Sequence, residues 1–182
     1  FEYDKNWLKS GFATNIDPDL SMYTGRQFIN ESKPNFGVFS DSSPDRWGRI
    51  LMKRRESIIA RQQNRAVQTL AESDFLLGVY DEYRLGGIRF KTDENAEYLN
   101  ADCELATPPW AYLAKLEQAA KNIEDDAISD DDKNMKWLKI LIAPGSSIGG
   151  ARPKANVSDK HNNLWIAKFP SKDDDSDIGA WE

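Results

Sequence analysis

The chain has 182 residues, 40% of them hydrophobic and 30% charged, with a formal net charge of −6. That length holds one ordinary domain, or one domain and part of a second, and the negative balance excludes a general electrostatic pull toward nucleic acid or anionic membrane. A single cysteine, Cys103, excludes an intrachain disulfide and fits a reducing cytoplasm, and with only one histidine, His161, a Cys/His zinc site is excluded too.

No apolar run approaches the ~18 residues needed to cross a bilayer, and no signal-peptide pattern opens the chain. Phe1-Glu2-Tyr3 alternates like a strand with no Met before it, and Ile178 to Glu182 reads as a helix just beginning. Both ends are therefore expected to be cut from a longer unit. Residues 1–43 mix short apolar stretches with turn chemistry at Asp17-Pro18-Asp19, Lys33-Pro34-Asn35 and Asp41-Ser42-Ser43-Pro44. Ser43 as N-cap and Pro44 at the first helical position then predict a helix. Its apolar face carries Trp47, Ile50, Leu51 and Ile58, and Arg46, Arg49, Lys53, Arg54, Arg55, Arg61 and Arg65 cover most of the rest. A second helix is predicted over Ala66 to Glu72. Val79-Tyr80-Asp81 and Leu85 to Lys91 read as the strands of a hairpin. Pro108-Pro109-Trp110 opens a helix containing Leu113, Leu116 and Ala120. The acidic stretch from Glu124 to Asp132 is expected to be a solvated linker, and Trp137 to Ile142 a short apolar helix ended by Pro144-Gly145.

The last forty residues carry the chemistry. Ser146-Ser147-Ile148-Gly149-Gly150-Ala151-Arg152-Pro153-Lys154 is a glycine-rich turn. Backbone N–H groups reach phosphate oxygens only where side chains are absent, so Gly149 and Gly150 suit a phosphate cradle. They equally suit the entry to a structural hairpin. The Walker spacing fails, because Ala151-Arg152 stands where Lys-Ser/Thr is required, and the dinucleotide G-x-G-x-x-G fails as well. Val157 is expected to close a first strand, Ser158 to Asn163 a polar turn, and Leu164 to Phe169 a second strand ended by Pro170. Trp165-Ile166-Ala167-Lys168 has the shape of the kinase V-A-I-K strand. Alternation places Lys168 on the face of Leu164 and Ile166, where an ammonium is costly unless it meets an anion or snorkels to water. Glycine turn, strand, turn, strand, lysine and a helix start carrying Glu182 reproduce the order of a kinase small lobe.

These three segments, the glycine turn, Leu164 to Ser171 and Gly179-Ala180-Trp181-Glu182, resemble the HipA family, the kinase toxins of bacterial toxin–antitoxin pairs. Phe36-Gly37-Val38-Phe39, Ser43 to Arg49 and Ser73 to Gly78 resemble that family's N-terminal domain, so the likeness covers nearly the whole chain. Family members are about twice this length. The resemblance implies an α+β N-terminal domain over 1–142, with helices packed on a small antiparallel sheet, followed over 143–182 by the first hairpin of a kinase-like small lobe. It implies a serine/threonine kinase that uses ATP and magnesium, acts on cellular proteins (aminoacyl-tRNA synthetases among them), and arrests growth. Ser147, Ile148, Gly149, Gly150, Ala151 and Lys154 would belong to the phosphate loop, Lys168 would contact phosphate, and Glu182 would be its helix partner. Ser147, with Ser146 beside it, matches the position of self-phosphorylation. A group of about −2 charge there would expel the loop and block ATP. The implied partner is a HipB-like helix-turn-helix antitoxin, through which DNA contact is indirect.

The catalytic aspartate and the metal-binding Asp and Asn of kinases have no counterpart here, since no H-R-D-like or D-F-G-like segment occurs. Catalytic residues are expected beyond Glu182, no metal site within the chain, and no phosphotransfer from these residues alone. Two alternatives stay open. The chain could instead be a non-catalytic module, a pseudokinase or antitoxin-docking domain. The basic helix could meet nucleic acid or an acidic partner, or be a solvated face neutralised by the chain's own acids.

Overall fold

The computed structural model describes residues 1–81, 84–101, 109–125, 141 and 150–175. Helices α1 (Lys5–Lys9), α2 (Gly37–Asp41), α3 (Arg46–Gln62), α4 (Glu72–Leu77) and α5 (Leu113–Glu124) precede strands β1 (Lys154–Ser158) and β2 (Leu164–Lys168). Mixed helices and a two-stranded antiparallel sheet make the fold α+β.

Residues 1–45 form a small apolar nucleus of Tyr3, Leu20 and Phe36. The N-terminal residues are not a strand. Asp4 instead caps α1, accepting from the backbone N–H of Asn6 at 2.7 Å and Trp7 at 3.1 Å. Such a carboxylate satisfies donors that the helix itself leaves open. Asp17 does similar work for α2 at long range, accepting from Val38 N at 2.7 Å.

The start of α3 corrects the sequence expectation. Its N-cap is Asp45, whose Oδ1 accepts from Gly48 N at 2.7 Å. Ser43 instead donates its hydroxyl to Phe39 O at 2.7 Å, back into α2. The apolar face is as expected: Trp47, Leu51 and Ile58 are buried and Ile50 packs against them. The next helix lies later than expected, over Glu72–Leu77 rather than Ala66 to Glu72. Glu56 explains the displacement, because it takes Arg65 in two bonds and also Gln68 N at 2.8 Å, holding that segment out of helix. Asp74 then accepts from Ala71 N at 2.8 Å and fixes the later start.

The hairpin expected over residues 79–91 is absent from the described residues. Arg84 is buried in its place and donates to the carbonyls of Ser42 (3.1 Å), Leu76 (2.7 Å) and Val79 (3.1 Å). Those bonds satisfy carbonyls at the ends of α2 and α4 and just beyond α4. The expected helix around Leu113, Leu116 and Ala120 is α5, entered through a 3₁₀ turn at Trp110–Tyr112. Of the linker expected from Glu124 to Asp132, Glu124 ends α5 and Asp125 is its C-cap; the rest of it, and the helix expected from Trp137 to Ile142, lie outside the described residues except for Leu141, which is helical and buried.

The two strands pair Lys154 with Lys168, Ala155 with Ala167, Asn156 with Ile166, Val157 with Trp165 and Ser158 with Leu164. Asp159 shapes the turn between them, accepting from His161 N, Asn163 N, Asn163 Nδ2 and Trp165 Nε1. Asn162 supplies a left-handed residue at φ 62°. The hairpin shares one apolar core with the helices: Trp47, Leu51, Phe75, Leu116, Ala120 and Ile123 meet Ala155, Val157 and Phe169. Trp47 also donates its indole N–H to Lys154 O at 3.1 Å. Among the described residues helices thus pack on a small antiparallel sheet, but that sheet is the late hairpin rather than one within residues 1–142.

Candidate functional site

Gly150 stands at the foot of β1 with φ 113°, a region that side-chain-bearing residues rarely adopt. A Cβ added there would lie 3.4 Å from Lys154 Nζ. The Gly150 carbonyl accepts from that same ammonium at 3.3 Å. Pro153 follows, buried, and its carbonyl receives Phe169 N at 2.8 Å, closing the open end of the hairpin.

The cations here are placed differently from one another. Lys154 is almost fully enclosed, with a side chain 3% exposed, and pairs at 2.5 Å with Asp45 Oδ2, itself 9% exposed. Arg152 pairs with Asp174 at 2.9 Å, and Asp174 also accepts from Ser171 N at 3.0 Å. Lys168 is exposed. As the direct cross-strand partner of Lys154 it lies on the same face of the sheet. Two like charges directly opposite each other repel, and Asp45 offsets that repulsion from the β1 side.

One part of the sequence argument fails. Lys168 does share its face with Leu164 and Ile166, but those residues are 57% and 52% exposed. The face is not a buried one, so no desolvation cost obliges Lys168 to find an anion. What remains is placement: Lys168, Lys154 and Gly150 are brought together at one end of the hairpin. Ala151 is exposed beside them. Ser146, Ser147, Ile148, Gly149 and Glu182 lie outside the described residues.

The basic face of α3 is partly neutralised from within. Arg49 forms two bonds to Glu72, at 2.6 and 2.7 Å, and its guanidinium lies 4.6 Å from the Phe75 ring centre. That pairing holds the Glu72 carboxyl below its ordinary value. Arg65 does the same to Glu56, lowering it to about 2. His161 is exposed in the hairpin turn, as expected of it. Asp174 of the Asp173-Asp174-Asp175 run is tied to Arg152 and Ser171. Among the described residues no group of three His, Cys, Asp or Glu side chains could hold a metal ion, and no helix is long and apolar enough to cross a membrane.

Sequence reasoning missed three organising residues. Asp45 carried a legible signal, an acidic side chain three residues before Gly48 at a helix start, but its pairing with Lys154 spans 109 residues and left none. Arg84 sat in the presumed turn between the two strands of the expected hairpin. Glu124, expected in a solvated linker, instead accepts from Ser171 Oγ at 2.7 Å and Lys172 N at 3.0 Å. Comparison with protein-family models, curated proteins and solved structures finds no match to this chain.

Proposed function

We propose that the chain is the nucleotide-gripping portion of a HipA-like protein serine/threonine kinase, with the glycine turn and Lys168 serving the phosphates of ATP. The observation that carries this reading is the register of the hairpin, which sets Lys168 directly across from Lys154 at the strand end that Gly150 enters. A glycine turn with backbone amides beside an exposed lysine supplies donors that polyphosphate requires. Gly150 fits such a cradle because its conformation excludes a side chain.

In this reading residues 1–142 are the family's N-terminal domain and 143–182 open the small lobe. Ser147 to Lys154 form the phosphate loop, Ser147 or Ser146 accepts a regulatory phosphate, and Glu182 pairs with Lys168 once the helix it begins is complete. Magnesium would arrive with ATP and supply charge neutralisation at the phosphates. The aspartates that bind the metal and accept the substrate proton are not among these 182 residues, so the chain alone does not transfer phosphate. A protein substrate, a helix-turn-helix antitoxin and a cytoplasmic setting follow from the family likeness.

A second reading rests on β2. Leu164, Trp165 and Ile166 are 57%, 53% and 52% exposed, which suits a docking module without catalysis. Calorimetry with Mg-ATP separates the two readings. The kinase reading expects weak saturable binding that Lys168→Ala reduces about tenfold, the loss of one charge-assisted phosphate contact. Equal titrations of the two proteins, or none, favour the docking module.

A further inference from the structure

We infer that Asp45 is the positioning residue of the described end of the glycine turn, Gly150 to Lys154, and that Lys154 is a structural cation rather than a phosphate ligand; this rests on the function proposed above. One carboxylate does two jobs. Its Oδ1 accepts from Gly48 N at 2.7 Å and so begins α3, while its Oδ2 receives Lys154 Nζ at 2.5 Å. Lys154 in turn donates to Gly150 O at 3.3 Å. The chain of contacts runs from the first turn of a 17-residue helix, through one buried ion pair, to Gly150 with its left-handed backbone. The backbone of Lys154 is fixed by the same helix, through the Trp47 indole 3.1 Å from its carbonyl. The start of α3 and the entry to β1 are thus held together at two points.

Burial decides the role of Lys154. A phosphate oxygen cannot approach an ammonium that is 3% exposed and already faces a carboxylate. To reach a ligand, Lys154 would have to abandon Asp45 inside the protein, leaving an uncompensated carboxylate, a costly state. Lys168, opposite it, is exposed, so a ligand can approach it from solvent. The two lysines divide the work: Lys154 sets the turn and Lys168 meets the ligand.

The test is a charge cycle. Asp45→Asn keeps an oxygen for the α3 cap and removes the anion. Lys154→Met removes the cation and keeps the stem. Breaking a buried pair from one side is costly, whereas removing both charges is close to neutral. Each single variant is therefore expected to speed hydrogen exchange of the amides from Ala151 to Ala155 by about tenfold or more, and the double variant to return within about threefold of wild type. Mg-ATP affinity is expected to follow the same pattern, lost in the singles and regained in the double. Thermal melts of all four proteins confirm that each is folded at the temperature used.

Exchange effects that simply add would overturn the tie. Affinity that stays lost in the double variant while exchange recovers would make Lys154 a phosphate ligand and overturn its structural assignment. Wild type that binds no Mg-ATP would remove the kinase reading, and the exchange cycle would still decide whether Asp45 sets the turn.

Discussion

β1 and β2 belong to one hairpin and are joined by five cross-strand pairs, yet their surroundings differ almost completely. Every residue of β1 is buried, including Lys154, Asn156 and Ser158. In β2 only Ala167 is partly covered, while Leu164, Trp165 and Ile166 stand open. The more polar strand is inside and the more apolar one outside. Intrinsic hydrophobicity therefore does not decide which strand joins the core. Position does: β1 lies against α3 and α5 through Ala155 and Val157, and the buried Lys154 on its other face is met by Asp45 rather than by water. An open strand rich in apolar residues is a site for pairing or docking. In the proposed kinase that edge would be covered by the rest of the small lobe.

The largest expected effect tests whether β1 is a working part of the helical core. Trp47→Ala removes a fully buried ring and its bond to Lys154 O, and is expected to cost about 3–5 kcal/mol in a denaturant titration. A smaller loss, about 2 kcal/mol, is expected for Val157→Ala at the core-facing side of β1. Its cross-strand neighbourhood sharpens the contrast: Ile166→Ala, on the open strand, is expected to change stability by no more than about 0.5 kcal/mol. Comparable losses from Val157→Ala and Ile166→Ala would break the distinction between the strands.

The smallest effect concerns the turn that joins them. Asn163 donates to Asp159, with help from Trp165 and the His161 backbone, and lowers its carboxyl to about 2. A depressed folded value favours the folded state above the ordinary carboxylate range, and that contribution disappears as pH falls toward 2. Glu56, also held near 2 by Arg65, behaves with the same sign. Exchange of the Asn163 amide is expected to accelerate between pH 5 and about 2 relative to its intrinsic rate. In Asp159→Ala that extra acceleration should be absent, because the turn is already open.

Local chemistry was the legible part of this chain. The apolar face of α3, the body of α5, the two late strands and the polar turn between them were all readable from spacing and turn residues. The misreadings share one cause, the capture of backbone by side chains from elsewhere. Residues 66–70 lack a helix because Glu56 holds Gln68 N. Among the described residues of 79–91 there is no hairpin, and Arg84 takes the carbonyls of Ser42, Leu76 and Val79 instead. Ser43 lost the cap of α3 to Asp45, two residues later. The site was legible as a set of residue types, but not in its division of labour. Lys168, a lysine on an apolar strand, is exposed, while Lys154, expected only as a member of the phosphate loop, is the buried one. No local pattern announces an ion pair made across 109 residues.

The central claim is that Lys168 and the glycine turn serve one polyphosphate. Its most direct test is a titration of isotopically labelled protein with Mg-ATP, following the backbone amides of Gly150 and Lys168 together by nuclear magnetic resonance. The account predicts that both resonances move along a single saturable curve, with magnesium alone moving neither. Movement of one without the other, or of neither at millimolar nucleotide, would contradict it.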